Sequence, residues 1–237
     1  MSRFVLVHGA WHGAWCWHKV VAELERRGHS VEAVDLPGHG VDRTPLAEVN
    51  LDAYADRVGR ALAAAEEPAI LVGHSLGGLV ITEAAERYTD HVQKLVYLCA
   101  FLEPPGAEPG GSRAAMEGSL VPSAMVPSED GLTTTVARSK LKEVFYADCS
   151  DEDIALARAC LVPQRMDLIL TQPSHTRANW GRLPRRYVLC TEDLAITETA
   201  QRHMIEAAEC DDVVTLETSH SPFFSAPAAL ADAMEQR

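Results

Sequence analysis

Ser75 lies in Gly73-His74-Ser75-Leu76-Gly77, directly after the apolar run Ile70-Leu71-Val72 and before Leu79-Val80-Ile81, which continues on helical spacing. A serine between two such glycines, at a strand-to-helix junction, is the pattern of a nucleophile elbow. The glycines two residues before and after it let the strand and the helix approach closely. The serine between them takes a strained backbone conformation with its hydroxyl exposed. Its place at a helix N-terminus turns backbone N–H groups toward developing negative charge. A serine hydroxyl is a weak nucleophile at neutral pH. It needs a base within hydrogen-bond reach, and the base needs a carboxylate to fix its tautomer.

Ten histidines compete for the role of base. His18, His29, His91 and His203 fall on predicted helices or their ends. His74 belongs to the elbow and points away from the Ser75 oxygen. His8, His12 and His39 lie on loops near one rim, and His175 lies in a long insertion. His220 alone follows the last predicted strand, where functional groups collect on a doubly wound sheet. Asp193, at the end of Arg186–Cys190, is the expected acid. Glu192 is its neighbour, and a one-residue change of register would exchange the two. Asp35 follows an earlier strand and reads as a structural residue in a Pro-Gly turn. The chain order is then serine, acid, histidine. Leu76, after the nucleophile, and Ala10, in the loop after the first strand, are the expected backbone donors of an oxyanion hole.

The elements that must position these groups alternate. Predicted strands at Phe4–Val7, Ser30–Val34, Ile70–Gly73 and Lys94–Cys99 are separated by helical stretches. Asn50 is the expected cap of the helix that starts at Leu51. Such alternation predicts an α/β fold, a mostly parallel, doubly wound sheet of about six strands. The alternation breaks over residues 103–182, which read as a helical lid inserted after the strand ending near Cys99. The clearest helix there is Asp151–Leu161, behind the cap-like Ser150. Gly106 to Gly111 reads as a flexible lid hinge. Residues 1–102 and 183–237 form the core, with strands resuming at Arg186–Cys190 and Val213–Leu216. The expected pocket residues are Gly9, Trp11, His12, Phe145, Trp180 and Ser221.

Composition narrows the partners. The chain has 237 residues, 47% hydrophobic, with a net charge of −13. That argues against nucleic acid or an anionic membrane as the partner. Six cysteines occur without a C-x-x-C pair or zinc spacing, as expected of reduced thiols in a cytoplasmic protein. No signal-like or membrane-spanning run is read. No metal ligand set, phosphate loop or dinucleotide fingerprint is found, so neither metal nor cofactor is expected.

The residues Val7-His8-Gly9-Ala10-Trp11-His12-Gly13-Ala14-Trp15, Gly73-His74-Ser75-Leu76-Gly77-Gly78, Phe145-Tyr146 with Cys149-Ser150 and Glu152-Asp153, Cys190-Thr191-Glu192-Asp193 and Gln201-Arg202 carry a resemblance. The chain resembles the methylesterase and hydroxynitrile lyase family of α/β-hydrolases, which includes the plant salicylate-binding type, and reads as a bacterial-type member. The resemblance spans nearly the whole chain. It implies an α/β-hydrolase fold, a triad of Ser75, Asp193 and His220, an oxyanion hole at Ala10 and Leu76, a small apolar pocket under a lid, no cofactor, and often a homodimer. In the lyase branch a threonine follows the first-loop histidine and a lysine follows the catalytic histidine. This chain has Gly9 and Ser221 there. Gly9 is expected to leave room for an acyl group, and both departures favour an esterase. Two further departures are Trp11, where a smaller residue is usual, and Ser219, where an acid often precedes the histidine.

The expected activity is that of a serine carboxylesterase acting on small aryl or methyl esters, with a small-molecule substrate as partner. The alternatives are a hydroxynitrile lyase, a lactonase or thioesterase, and a small-molecule sensor that keeps the triad for capture.

Overall fold

In a computed structural model, which describes residues 1–107, 116–210 and 212–235, the apolar runs that lack alternation form the middle of one sheet. Strands β1 (Arg3–Val7) and β3 (Ala69–His74) are buried at every residue. A strand covered on both faces by helices requires such a continuous run. The remaining strands of this sheet are β2 (Ser30–Val34), β4 (Val92–Leu98), β8 (Arg185–Cys190) and β9 (Asp212–Leu216). Their order is β2-β1-β3-β4-β8-β9, and every pairing is parallel. The outer strands β2 and β9 are only partly buried, in keeping with their mixed sequences.

The chain leaves β1 in one direction to form β2 and returns to β1's other side to form β3. The loops after β1 and β3 therefore diverge above the sheet, and a crevice opens outside the carboxyl ends of the two strands. Ser75 follows one strand and the Gly9–Trp11 loop the other. Helices α1 (His18–Arg26), α2 (Leu51–Ala63) and α3 (Gly77–Arg87) supply the crossovers. Asn50 caps α2, its side chain accepting from the Ala53 N–H at 2.8 Å.

The insertion between β4 and β8 is not helical throughout. Short helices α4 (Val121–Ala124), α5 (Leu141–Phe145), α6 (Asp151–Cys160) and α7 (Met166–Leu170) are joined by a three-stranded antiparallel sheet, β5 (Met125–Pro127), β6 (Thr133–Val136) and β7 (Gln164–Arg165). Three consecutive threonines suit β6, since β-branched side chains fit a pleated surface better than a helix. Ser150 caps α6 as expected, accepting from the Asp153 N–H at 3.2 Å. Of the expected hinge, residues 108–111 lie outside the described residues. After β8 come α8 (Glu198–Ala207), capped by Thr197, then β9, α9 (Pro222–Ser225) and α10 (Pro227–Glu235). All six cysteines are free. Among the described residues no helix is long and apolar enough to cross a membrane.

Three glycines hold the β3–α3 junction together through backbone proximity. A Cβ on Gly73 would come within 2.6 Å of the Gly77 carbonyl oxygen. One on Gly77 would lie 2.8 Å from the carbonyls of Val7 and His8, and one on Gly78 2.2 Å from that of Phe101. The obstacles are backbone atoms and cannot swing aside. Gly78→Ala is therefore expected to cost about 2 kcal/mol or more in stability, read as a lower urea midpoint at unchanged slope. An unshifted midpoint would show that the junction yields.

Candidate active site

The site begins at the elbow. Ser75 has φ 55°, a left-handed conformation that a non-glycine residue adopts only under surrounding constraint. The constraint is visible in the hydrogen bonds. Its N–H donates to the Leu98 carbonyl at 3.2 Å. Its carbonyl accepts from Gly78 at 3.0 Å and from Phe101 at 3.1 Å. The peptide is thus clamped between β4, the start of α3 and the entry to the insertion.

Asp193 and His220 come from the ends of β8 and β9. His220 Nδ1–H donates to Asp193 Oδ2 at 2.7 Å, and both side chains are buried. The other carboxylate oxygen, Oδ1, accepts from the Ala195 N–H at 2.7 Å and the Ile196 N–H at 2.9 Å. The carboxylate is therefore fixed by its own loop before the histidine meets it. Glu192 is exposed and takes no part. Asp35 accepts from the backbone of Ala14 and Val41, which makes it a turn residue. His74 lies behind His220, with ring centroids 4.5 Å apart. Its Nε2–H donates to the His220 carbonyl at 2.9 Å, which anchors the backbone that carries the imidazole. The link from the Ser75 hydroxyl to Nε2 of His220 is not closed as a hydrogen bond here, and such contacts often tighten only when substrate arrives.

Ser75 opens on a chamber of about 210 Å³ whose wall includes Phe101, Met116, Met125, Phe145, Ile169 and Ile196. Ala10 and Leu76 line it too. Among the described residues neither backbone N–H of these two has a hydrogen-bond partner. Two free N–H groups beside a serine, one of them at the N-terminal end of α3, suit an oxyanion.

Of the expected pocket residues, Trp11 and Phe145 line the chamber. The other four do not. Gly9 faces Ser75 and His74 closely. A Cβ there would lie 2.8 Å from the Ser75 Cβ and 2.9 Å from His74 Nδ1. It lets the first loop approach the elbow and opens no room for an acyl group. Trp180 packs elsewhere, its indole N–H donating to the Tyr97 hydroxyl at 2.8 Å and its ring facing His175 and Arg185. The Tyr97 hydroxyl satisfies this indole away from the largely apolar chamber. Ser221 is buried at the start of α9, outside the chamber wall.

His12 is buried one layer back. Its Nδ1–H donates to the Ala10 carbonyl at 2.7 Å, and its Nε2 accepts from the Tyr146 hydroxyl at 2.6 Å. His8 acts likewise, bonding the Gly9 carbonyl and accepting from the Leu36 N–H. These two histidines set the path of the first loop. Sequence reasoning also missed Asp148 in the insertion. Its carboxylate accepts from the Ser219 N–H at 3.0 Å and from the Ser219 hydroxyl. Burial pushes its pKa up, but the Ser219 bonds prevail and hold it below the usual carboxylate range. The only sequence signal was the missing acid at position 219.

Burial keeps several of these imidazoles neutral. Desolvation lowers His12 to about 4 and takes His8 and His74 well below their ordinary value. An unfolded chain would protonate all three near pH 6.5, before the folded one does. Stability is thus complete above about pH 6.5 and lost progressively as the pH falls toward 4, with about 3 kcal/mol from His12 alone. The urea midpoint is expected to drop between pH 7.5 and pH 5. A flat midpoint over that interval would contradict the neutral assignment.

The comparisons with known proteins agree with this architecture. A model of the family described as Alpha/beta hydrolase family matches residues 4–233. Methylesterase 2 of Arabidopsis thaliana is 31% identical over 246 residues, covering 98% of this chain and 94% of its own. Tomato methylketone synthase I, solved in complex with 2-tridecanone, superposes with a TM-score of 0.87 at 29% identity, covering 98% of this chain and 96% of that one. A pyrethroid hydrolase from Sphingobium faniae superposes with a TM-score of 0.82 at 31% identity, covering 98% and 95%.

Proposed function

The chain belongs to the alpha/beta hydrolase family, its methylesterase relatives support an esterase of that type, and on that premise we propose that it is a serine carboxylesterase acting on small, uncharged esters such as methyl or aryl esters. The observation that carries the mechanism is the buried 2.7 Å pair of His220 and Asp193, which follow β9 and β8 at the same carboxyl edge of the sheet where β3 leads into Ser75. With Nδ1–H committed to Asp193, Nε2 is left bare to accept the Ser75 proton. Ser75 Oγ attacks the ester carbonyl, and the oxyanion that forms is met by the N–H groups of Ala10 and Leu76. His220 returns the proton to the departing alcohol, leaving the acyl group on Ser75. It then takes a proton from water, whose oxygen attacks the acyl-enzyme, and returns that proton to Ser75 Oγ as the C–Oγ bond breaks and the acid leaves. The apolar chamber favours a substrate without charge.

A fluorophosphonate probe tests the nucleophile directly. The expected result is one covalent adduct on the peptide that contains Ser75, with parallel loss of esterase activity. Labelling at another residue, or full activity after stoichiometric labelling, would refute the scheme. Cyanide release from mandelonitrile would instead favour the lyase chemistry. Position 9 speaks against that chemistry, since the lyase threonine would collide with Ser75 and His74 there.

A further inference from the structure

Trp11 lines two cavities. One is the chamber that holds Ser75. The other, about 340 Å³, is walled by residues of the insertion, among them Thr135, Arg138, Leu141, Arg158 and Val162. Trp11 is the one residue common to both walls among the described residues. The two spaces differ in character. The first is almost wholly apolar, whereas the second is more polar and its wall includes Arg138 and Arg158, both exposed at the surface.

The Trp11 side chain is held from several sides. Its N–H donates to the Thr134 carbonyl of β6 at 2.9 Å. The Trp11 carbonyl accepts from the Val162 N–H at 3.0 Å. The ring meets Phe145 edge-on at 5.7 Å. The backbone sits at φ 63°, which this side chain adopts only because its surroundings hold it there. A side chain fixed in this way is a wall rather than a gate.

We propose that Trp11 determines specificity: its indole is a fixed partition that ends the reaction chamber short of the arginine-bearing cavity and restricts the enzyme to esters whose substituent toward Trp11 is compact and uncharged. Removing the partition joins the two spaces. The enlarged site then takes a longer chain, best one that ends in a carboxylate facing Arg138 and Arg158. The inference rests on the esterase reading above.

The test uses Trp11→Gly, because glycine accepts φ 63° without strain. Two series of p-nitrophenyl or methyl esters are compared, lengthened on the acyl or on the alcohol side and ending in methyl or in carboxylate. The expected result is a rise of about tenfold or more in kcat/KM for an eight-carbon, carboxylate-ended ester relative to the four-carbon ester. Arg138→Ala combined with Arg158→Ala should reverse that gain. A ratio within twofold of the wild type in both series would overturn the proposal. Calorimetric titration with octanedioate gives a readout independent of turnover. Binding about tenfold tighter in Trp11→Gly supports the partition, and equal binding overturns it. Should Trp11→Gly fail to fold, Trp11→Leu is read by the same ratio and the same titration. Failure of the esterase reading is distinguishable, since it would appear as wild-type protein without Ser75-dependent turnover of any ester in the series.

Discussion

Replacing Ser75 with alanine is expected to lower kcat for p-nitrophenyl butyrate by about 10⁴-fold or more, since the nucleophile and its base act as one unit. The fold should survive. Alanine removes one oxygen and leaves intact the backbone bonds of residue 75 to Leu98, Gly78 and Phe101. The left-handed strain at this residue is the same for both side chains. A melting temperature within about 2 °C of the parent, together with background turnover, is the outcome that fits. Turnover within tenfold of the parent would remove Ser75 from the chemistry.

The acid offers the second large effect. Asp193 accepts from His220 with one oxygen and from the Ala195 and Ile196 N–H groups with the other. An asparagine in its place would have a single acceptor oxygen. If that oxygen keeps the two backbone bonds, the amide NH₂ group faces Nδ1 of His220 and demands a lone pair there. The proton moves to Nε2, where it blocks abstraction from Ser75. Asp193→Asn should therefore cost about 10⁴-fold in kcat. Glu192→Gln, at an exposed neighbour, should stay within about twofold. The reverse pattern, with the loss at position 192, would mean that the wrong carboxylate has been assigned.

The sequence makes the elbow and the sheet legible because both are local. A continuous apolar run, a glycine and a helical repeat each declare themselves within ten residues, so Ser75, β1, β3 and α3 are readable. His220 and Asp193 are readable only as strand ends, and the choice between Asp193 and Glu192 needs the turn after β8, which buries the first and exposes the second. What the sequence hides is the direction of side chains over long separations. Trp180 has the size of a pocket wall, yet a hydroxyl on β4 draws its indole away from the chamber. His12 stands beside the oxyanion loop in sequence but turns back into the interior, where Tyr146 meets it. Gly9 reads as an opening and is a close contact. The small sheet of the insertion escapes because its strands run two to four residues, too short for a period to show.

The clasp between Asp148 and Ser219 has a bearing on protein engineering. The segment that roofs the chamber also steadies, through one carboxylate, the turn that bears His220. Caps exchanged between relatives are therefore not independent modules. A graft bringing in a cap with no acid at position 148 would loosen the imidazole of its host, and one that met an acid already present at position 219 would set two negative charges face to face. Chimeras that move positions 148 and 219 together should keep their turnover, and those that split the pair should lose it while still accumulating as folded protein.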